Sequence, residues 1–192
     1  AWISEPPPYQ TAAPEHAPPS RGTTLQDVRD YLARQDRDVL VQMILEQAMN
    51  DSRWREQLIL KAAVGHTGGA DIRAFRRSLS NAIAIHDFVN YGAAASYADG
   101  VQDIIDGLEE LLDEGYANDV VELCEEAIAL LEDALNSIDN SNGDMFPIME
   151  QMQNLHYRAC AIAPPNPHAL AEKLLEIELN SGYSFFYNAL DT

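Results

Sequence analysis

Residues 97–138 carry 13 Asp and Glu side chains and no Lys or Arg, yet apolar residues run through the segment at a helical interval. Val101, Ile104, Ile105, Leu108, Leu111 and Leu112 follow an i, i+3, i+4, i+7 pattern, Gly115 interrupts it, and Val120, Val121, Cys124, Ile128, Leu131 and Leu135 resume it. The pattern places an apolar stripe and a carboxylate face on each of two helices. The short break between them predicts an antiparallel helical hairpin. Neither half can be stable alone, because each apolar stripe needs a neighbour.

The rest of the chain from Thr24 onward reads in the same period. Thr24 is placed to cap a helix with Asp27 in its first turn and Leu25, Val28 and Leu32 on one face. Asp36 or Asp38 opens a second helix to about Met49, with Leu40, Met43 and Ile44 as its apolar stripe and Ala48 extending it. The break Asn50-Asp51-Ser52 starts a third, bearing Trp54 and Leu58 and stopped by Gly65. Asp71 caps a fourth with Phe75, Leu79 and Ile83, and Met145, Met149, Met152 and Leu155 mark one that Pro164 and Pro165 end. Asn166 followed by Pro167 starts the last, with Leu170, Leu174 and Ile177, ahead of an aromatic piece at Tyr183, Phe185, Phe186 and Tyr187. No alternating strand pattern of useful length occurs. The expected fold is all-α, antiparallel helix pairs stacked as a bundle or a short TPR/HEAT-like solenoid.

Domain organisation follows from proline. Six of the ten prolines lie within residues 5–23, so 1–23 reads as an extended linker and 24–192 as one helical domain, with a folded element expected ahead of Ala1. Cys124 and Cys160 sit inside helical patterns rather than in a disulfide framework, and no apolar run is long enough to span a bilayer. These features favour a cytoplasmic protein with no membrane contact.

Charge is distributed unevenly. Residues 1–77 hold 10 basic and 10 acidic side chains, whereas residues 78–192 hold 21 acidic side chains against Arg158 and Lys173, which accounts for the net charge of −19. Nucleic acid is bound by neutralising phosphates, so the second part would repel it and suits a protein partner with a basic surface. The expected partner-binding face is the hairpin, through Asp99, Asp103, Asp106, Glu109, Glu110, Glu122, Glu125 and Glu126, because the segment has no cation of its own to balance them. The arginines of the first part, Arg29, Arg34, Arg37, Arg53, Arg55, Arg73, Arg76 and Arg77, are interspersed with acids and read as intramolecular ion-pair partners.

Catalytic patterns are missing. His156 and Cys160 at i, i+4 could share a metal, with Cys124 joining from the neighbouring helix, but the ordinary reading is a core-edge histidine beside a small thiol. The segment 139–144 has the oxygen-rich look of a calcium loop, but setting Gly143 at position six puts Ile138 and Met149 where carboxylates belong. It reads instead as a turn in which Asp144 caps the next helix. Glu109-Glu110 and Glu125-Glu126 are adjacent on helices and therefore diverge. No nucleophile–base pair, phosphate loop or dinucleotide fingerprint occurs, so neither an enzyme nor a cofactor is expected.

Several segments resemble the helical region that follows the zinc finger in bacterial SWIM-type zinc-finger proteins. They are Leu111-Leu112-Asp113-Glu114-Gly115-Tyr116, Val120-Val121-Glu122-Leu123, Asp139-Asn140-Ser141-Asn142-Gly143, and Leu155-His156 with Ala159-Cys160. The likeness spans about residues 36–187, and Ala1-Trp2-Ile3 resembles the end of the helix that closes such a finger. The finger's own Cys-x-Cys and Cys-x-His ligands do not occur in this sequence. The resemblance implies a larger zinc-finger parent, so the expected function is a non-catalytic helical interaction module, with an accessory role in nucleic-acid binding as the alternative.

Overall fold

The computed structural model describes residues 22–180 apart from His66 and His86, and these residues form eight helices with no β-sheet. The helices are α1 (Leu25–Leu32), α2 (Arg37–Asn50), α3 (Ser52–Val64), α4 (Ile72–Ile83), α5 (Tyr91–Asp113), α6 (Ala117–Leu135), α7 (Met145–Ile162) and α8 (Pro167–Asn180). The expected linker up to residue 21 and the aromatic piece at 183–187 lie outside the described residues. Two compact units are present, one ending at Ile44 and the other beginning at Leu45.

Local chemistry sets the helix ends. Thr24 and Asp27 form a reciprocal capping box, the Thr24 hydroxyl accepting from the Asp27 N–H and the Asp27 carboxylate accepting from the Thr24 N–H. Asp51 and Asp71 accept from the N–H groups of Trp54 and Ala74, and Asn166 accepts from those of His168 and Ala169. Gly115 ends α5 with φ +93°, while the N–H of Tyr116 reaches the Leu111 carbonyl at 3.2 Å and that of Gly115 the Leu112 carbonyl at 3.0 Å. This is a Schellman closure, whose left-handed position favours glycine.

The second unit is a bundle built around α5, which packs on α3, α4, α6 and α7, while α6 packs on α4 and α7. Every apolar residue that the sequence assigns to the two hairpin stripes is buried, as are Phe75, Leu79 and Ile83 of α4 and Met145, Met149, Met152 and Leu155 of α7. Polar closures fix the edges of the core. Tyr97 donates to the Ile83 carbonyl at 2.8 Å, and burial pushes its phenol up to about 12. Tyr116 accepts from the Ala70 N–H at 3.0 Å. The segments on either side of the α5–α6 pair join where the Val89 N–H donates to the Ser137 carbonyl and the Asp139 N–H to that of Val89.

Residues read as a stripe in the first two helices are placed differently. Leu25 and Val28 of α1 and Met43 and Ile44 of α2 are exposed, and Ala48 is the buried residue of α2. In α3, burial falls on Leu60 and Ala63 rather than on Trp54 and Leu58, which are half-buried.

Gly107 marks the tightest crossing in the core, because a Cβ there would lie 3.1 Å from Leu60 Cδ1 and 3.5 Å from Phe75 Cε1. Both neighbours are buried and have little room to retreat. A Gly107→Val substitution should therefore destabilise the fold by about 2 kcal/mol in urea denaturation, since overpacking strains surrounding side chains. An unchanged or raised midpoint would show that the α3–α5 crossing can relax.

Candidate functional site

Seven of the eight carboxylates expected on the α5–α6 face, all but Asp106, meet a cation from another helix rather than standing without one as the sequence suggested. Arg53 of α3 grips Asp103 through both Nε and Nη2, the latter at 2.9 Å, and its Nη1 lies 3.5 Å from Asp99. The Gln57 amide adds a 2.8 Å bond to the same Asp103 carboxylate. Lys61 pairs with Glu110, and Arg158 of α7 reaches Glu109 at 2.6 Å. Arg76 of α4 bridges Glu122 at 3.0 Å and Glu126 at 2.9 Å. Asp106 accepts from Gln102 one turn earlier, at 2.9 Å. The expectation failed because cations 46–50 residues distant in sequence are brought opposite the acidic faces by packing, which a segment-by-segment charge count does not register. The expected intramolecular use of arginines holds for Arg53 and Arg76.

Glu125 departs furthest from its expected place on a solvent face. It is buried on α6, where one carboxylate oxygen pairs with Lys173 of α8 and the other lies 3.6 Å from His156 Nε2. The same imidazole nitrogen lies 3.6 Å from Cys160 Sγ. Glu125 is therefore the meeting point of three helices, α6, α7 and α8. Both Glu125 and Cys160 approach the same imidazole nitrogen.

The protonation states oppose thiol chemistry. Burial holds the His156 imidazole below its ordinary range, with Glu125 pulling the other way. Burial and then the Glu125 charge raise the Cys160 thiol, and burial raises that of Cys124 further. A reactive cysteine needs the reverse arrangement, a thiolate beside an imidazolium. Among the described residues, no group of three or more His, Cys, Asp or Glu side chains is gathered to hold a metal ion. The cluster ties α6, α7 and α8 together.

The turn at 139–144 is closed by its own side chains. Asp139 accepts from the Ser141 hydroxyl and N–H, which holds its carboxyl below the ordinary range, and Asn140 accepts from the Met145 N–H at 3.0 Å. Asp144 stands at the helix start with no side-chain cap bond, so Asn140 supplies the function expected of it.

Two shallow grooves flank α3 and α5. The smaller, of about 180 Å³, is lined by Gln57, Lys61, Asp103, Asp106 and Glu110 around Gly107, and the larger, of about 300 Å³, by Arg53, Glu56, Ser78 and Asn81. Asp103 and Glu110 are already engaged by cations, so the smaller groove offers no free pair for acid–base work.

Sequence reasoning missed the exposure of α2. Val39, Val41, Met43, Ile44, Leu45 and Met49 are all exposed, and the signal was readable. Apolar residues occupy 39–41, 43–45 and 48–49, too many for one face, while Asp38, Gln42, Glu46 and Asn50 form a narrow polar strip at four-residue spacing.

No family model, curated protein or solved structure matches the chain.

Because burial lowers the His156 pKa below the ordinary 6.5, the unfolded chain takes up this proton more readily than the folded one. The stabilising contribution is then complete above about pH 6.5 and is lost as pH falls through the lower, folded-state value. Unfolding free energy should decline on acidification below about pH 6.5, and His156→Gln should remove that part of the slope. Identical slopes in the two proteins would show that His156 binds its proton equally well in the folded and unfolded chains.

Proposed function

We propose that this chain is a non-catalytic helical interaction module of a larger protein, and that its second unit docks a protein partner with a basic surface. The observation that carries the reading is the charge left after internal pairing. From Leu45 onward the sequence holds 25 acidic and 8 basic side chains, and five of those cations are spent on Asp99, Asp103, Glu109, Glu110, Glu122, Glu125 and Glu126. Asp106, Asp113, Glu114 and Asp119 have no Lys or Arg within ion-pair distance among the described residues. Three of these four cluster in sequence around the α5–α6 turn, which becomes the favoured docking end. Attachment to a SWIM-type zinc finger belongs to the same proposal and rests on the resemblance alone.

Complementary charge acts mainly on encounter rate and partner choice. A partner captured by the complete parent protein should associate more slowly as the Debye length falls from about 10 Å at 0.1 M salt to about 3 Å at 1 M. Joint replacement of Asp106, Asp113, Glu114 and Asp119 by Asn or Gln should slow low-salt association about tenfold with helical content unchanged, because these residues support no interhelical ion pair. An association rate indifferent to both salt and substitution would reduce the acidic surface to a solubility device. Tight, salt-sensitive binding of duplex DNA would favour the nucleic-acid reading instead.

A further inference from the structure

The two grooves beside α5 are occupied by internal contacts. Lys61 holds Glu110 in one, and in the other Arg53 grips Asp103 and Ser78 donates to Glu56 at 3.0 Å. A third groove, of about 320 Å³, lies between the C-terminal ends of α4 and α6 and differs from both. Ile83, Ala84, Ile85, Leu130 and Ala134 give it apolar walls, and the Asp133 carboxylate stands among them. We infer that this groove receives an arginine side chain of a protein partner, with the methylene stem on the apolar walls and the guanidinium on Asp133. The inference rests on the reading of a basic partner and gives that partner an anchor.

Three sources of negative charge meet here. Asp133 is exposed and has no Lys or Arg within ion-pair distance among the described residues. The dipoles of α4 and α6 both end at the groove, at Ile83 and Leu135, and neither helix carries a basic residue in its last turn. A cation seated beside Asp133 would complement the carboxylate and both helix ends at once.

The apolar walls select what the cation is attached to. Ile83 and Ala134 are buried, Ile85 is half-buried and Leu130 is 39% exposed, a surface that a metal ion or a small hydrated ammonium would leave uncovered. An alkyl stem covers it, at a gain of up to about fourfold in affinity per buried methylene. Long cationic side chains bury their stems along apolar surface in this way while the charged head stays at the rim. Arginine suits the site better than lysine, because its guanidinium is more weakly hydrated and can meet both carboxylate oxygens in a planar fork.

Titration of n-propylguanidinium, which reproduces the arginine side chain, into the whole 192-residue chain tests this by amide and methyl NMR shifts. The expected result is saturable binding with shifts centred on Ala84, Ile85, Leu130 and Ala134, about fivefold tighter than that of methylguanidinium and weakened at least about fivefold by Asp133→Asn. Asp133 is exposed and supports no interhelical ion pair among the described residues, so the variant keeps the fold. With a partner captured by the complete parent protein, Asp133→Asn should speed dissociation about tenfold and leave the salt-dependent association rate nearly unchanged, because a seated anchor acts on the lifetime of the complex and diffuse charge on encounter. Shifts scattered over the acidic helices, equal affinities for the two guanidinium ions, binding unaltered by Asp133→Asn, or a partner whose dissociation ignores the substitution would each overturn the inference. An association rate insensitive to salt and to the substitutions at Asp106, Asp113, Glu114 and Asp119 would instead sink the steering role of the acidic surface and leave the probe in its groove, so the two readings fail separately.

Discussion

Packing of the second unit depends on cations lent by other helices to α5 and α6. Thirteen carboxylates across residues 97–138, with no Lys or Arg among them, would repel one another along two helices that must lie in the same bundle. Arg53 and Lys61 from α3, Arg76 from α4, Arg158 from α7 and Lys173 from α8 each reach one or two of them. Such pairs are individually weak where solvent reaches them, about 0–1 kcal/mol each. Their value lies in placement, since each connects a different helix to the central pair and relieves repulsion where the apolar stripes already meet. Gly107 lets α5 approach α3 closely at the level where Lys61 meets Glu110.

The apolar half of this design could be read from the sequence because it is local. Val101 to Leu112 and Val120 to Leu135 repeat at the helical period, and a stripe of that width has to be buried whatever covers it. Caps at Thr24, Asp71 and Asn166 were legible for the same reason, each depending on residues within three positions. The charge half is not local. Arg76 and Glu126 are 50 residues apart, and only the crossing of α4 with α6 brings them together. Glu125 shows the limit most clearly, because its neighbour Glu126 lies on the solvent side while Glu125 turns inward to Lys173 and His156. The helical period places Glu125, four residues after Val121 and three before Ile128, at the edge of the apolar stripe and Glu126 opposite it, but says nothing of Lys173 or His156 as partners.

Burial disfavours the charged forms of His156, Cys160 and Cys124. It favours the neutral imidazole, against the pull of Glu125, and the protonated thiols, and Glu125 acts further against a thiolate at Cys160. His156 and Cys124 lie in the core of the bundle, while the carboxylates near the α5–α6 turn that pair with no Lys or Arg lie at its surface.

The account stands or falls on whether the borrowed cations stabilise the bundle, and Arg53 with Asp103 is the pair to examine. Asp103 is 13% exposed and Arg53 51%, and the guanidinium engages both carboxylate oxygens. A double-mutant cycle with Arg53→Gln and Asp103→Asn, read by urea denaturation, isolates their coupling from the effect of each substitution alone. The account predicts a favourable coupling of about 1 kcal/mol, at the upper end for a partly solvated pair because the contact is bidentate. A coupling indistinguishable from zero would mean that α5 and α6 are held by their apolar stripes alone, and that the paired carboxylates are as free for a partner as the unpaired ones.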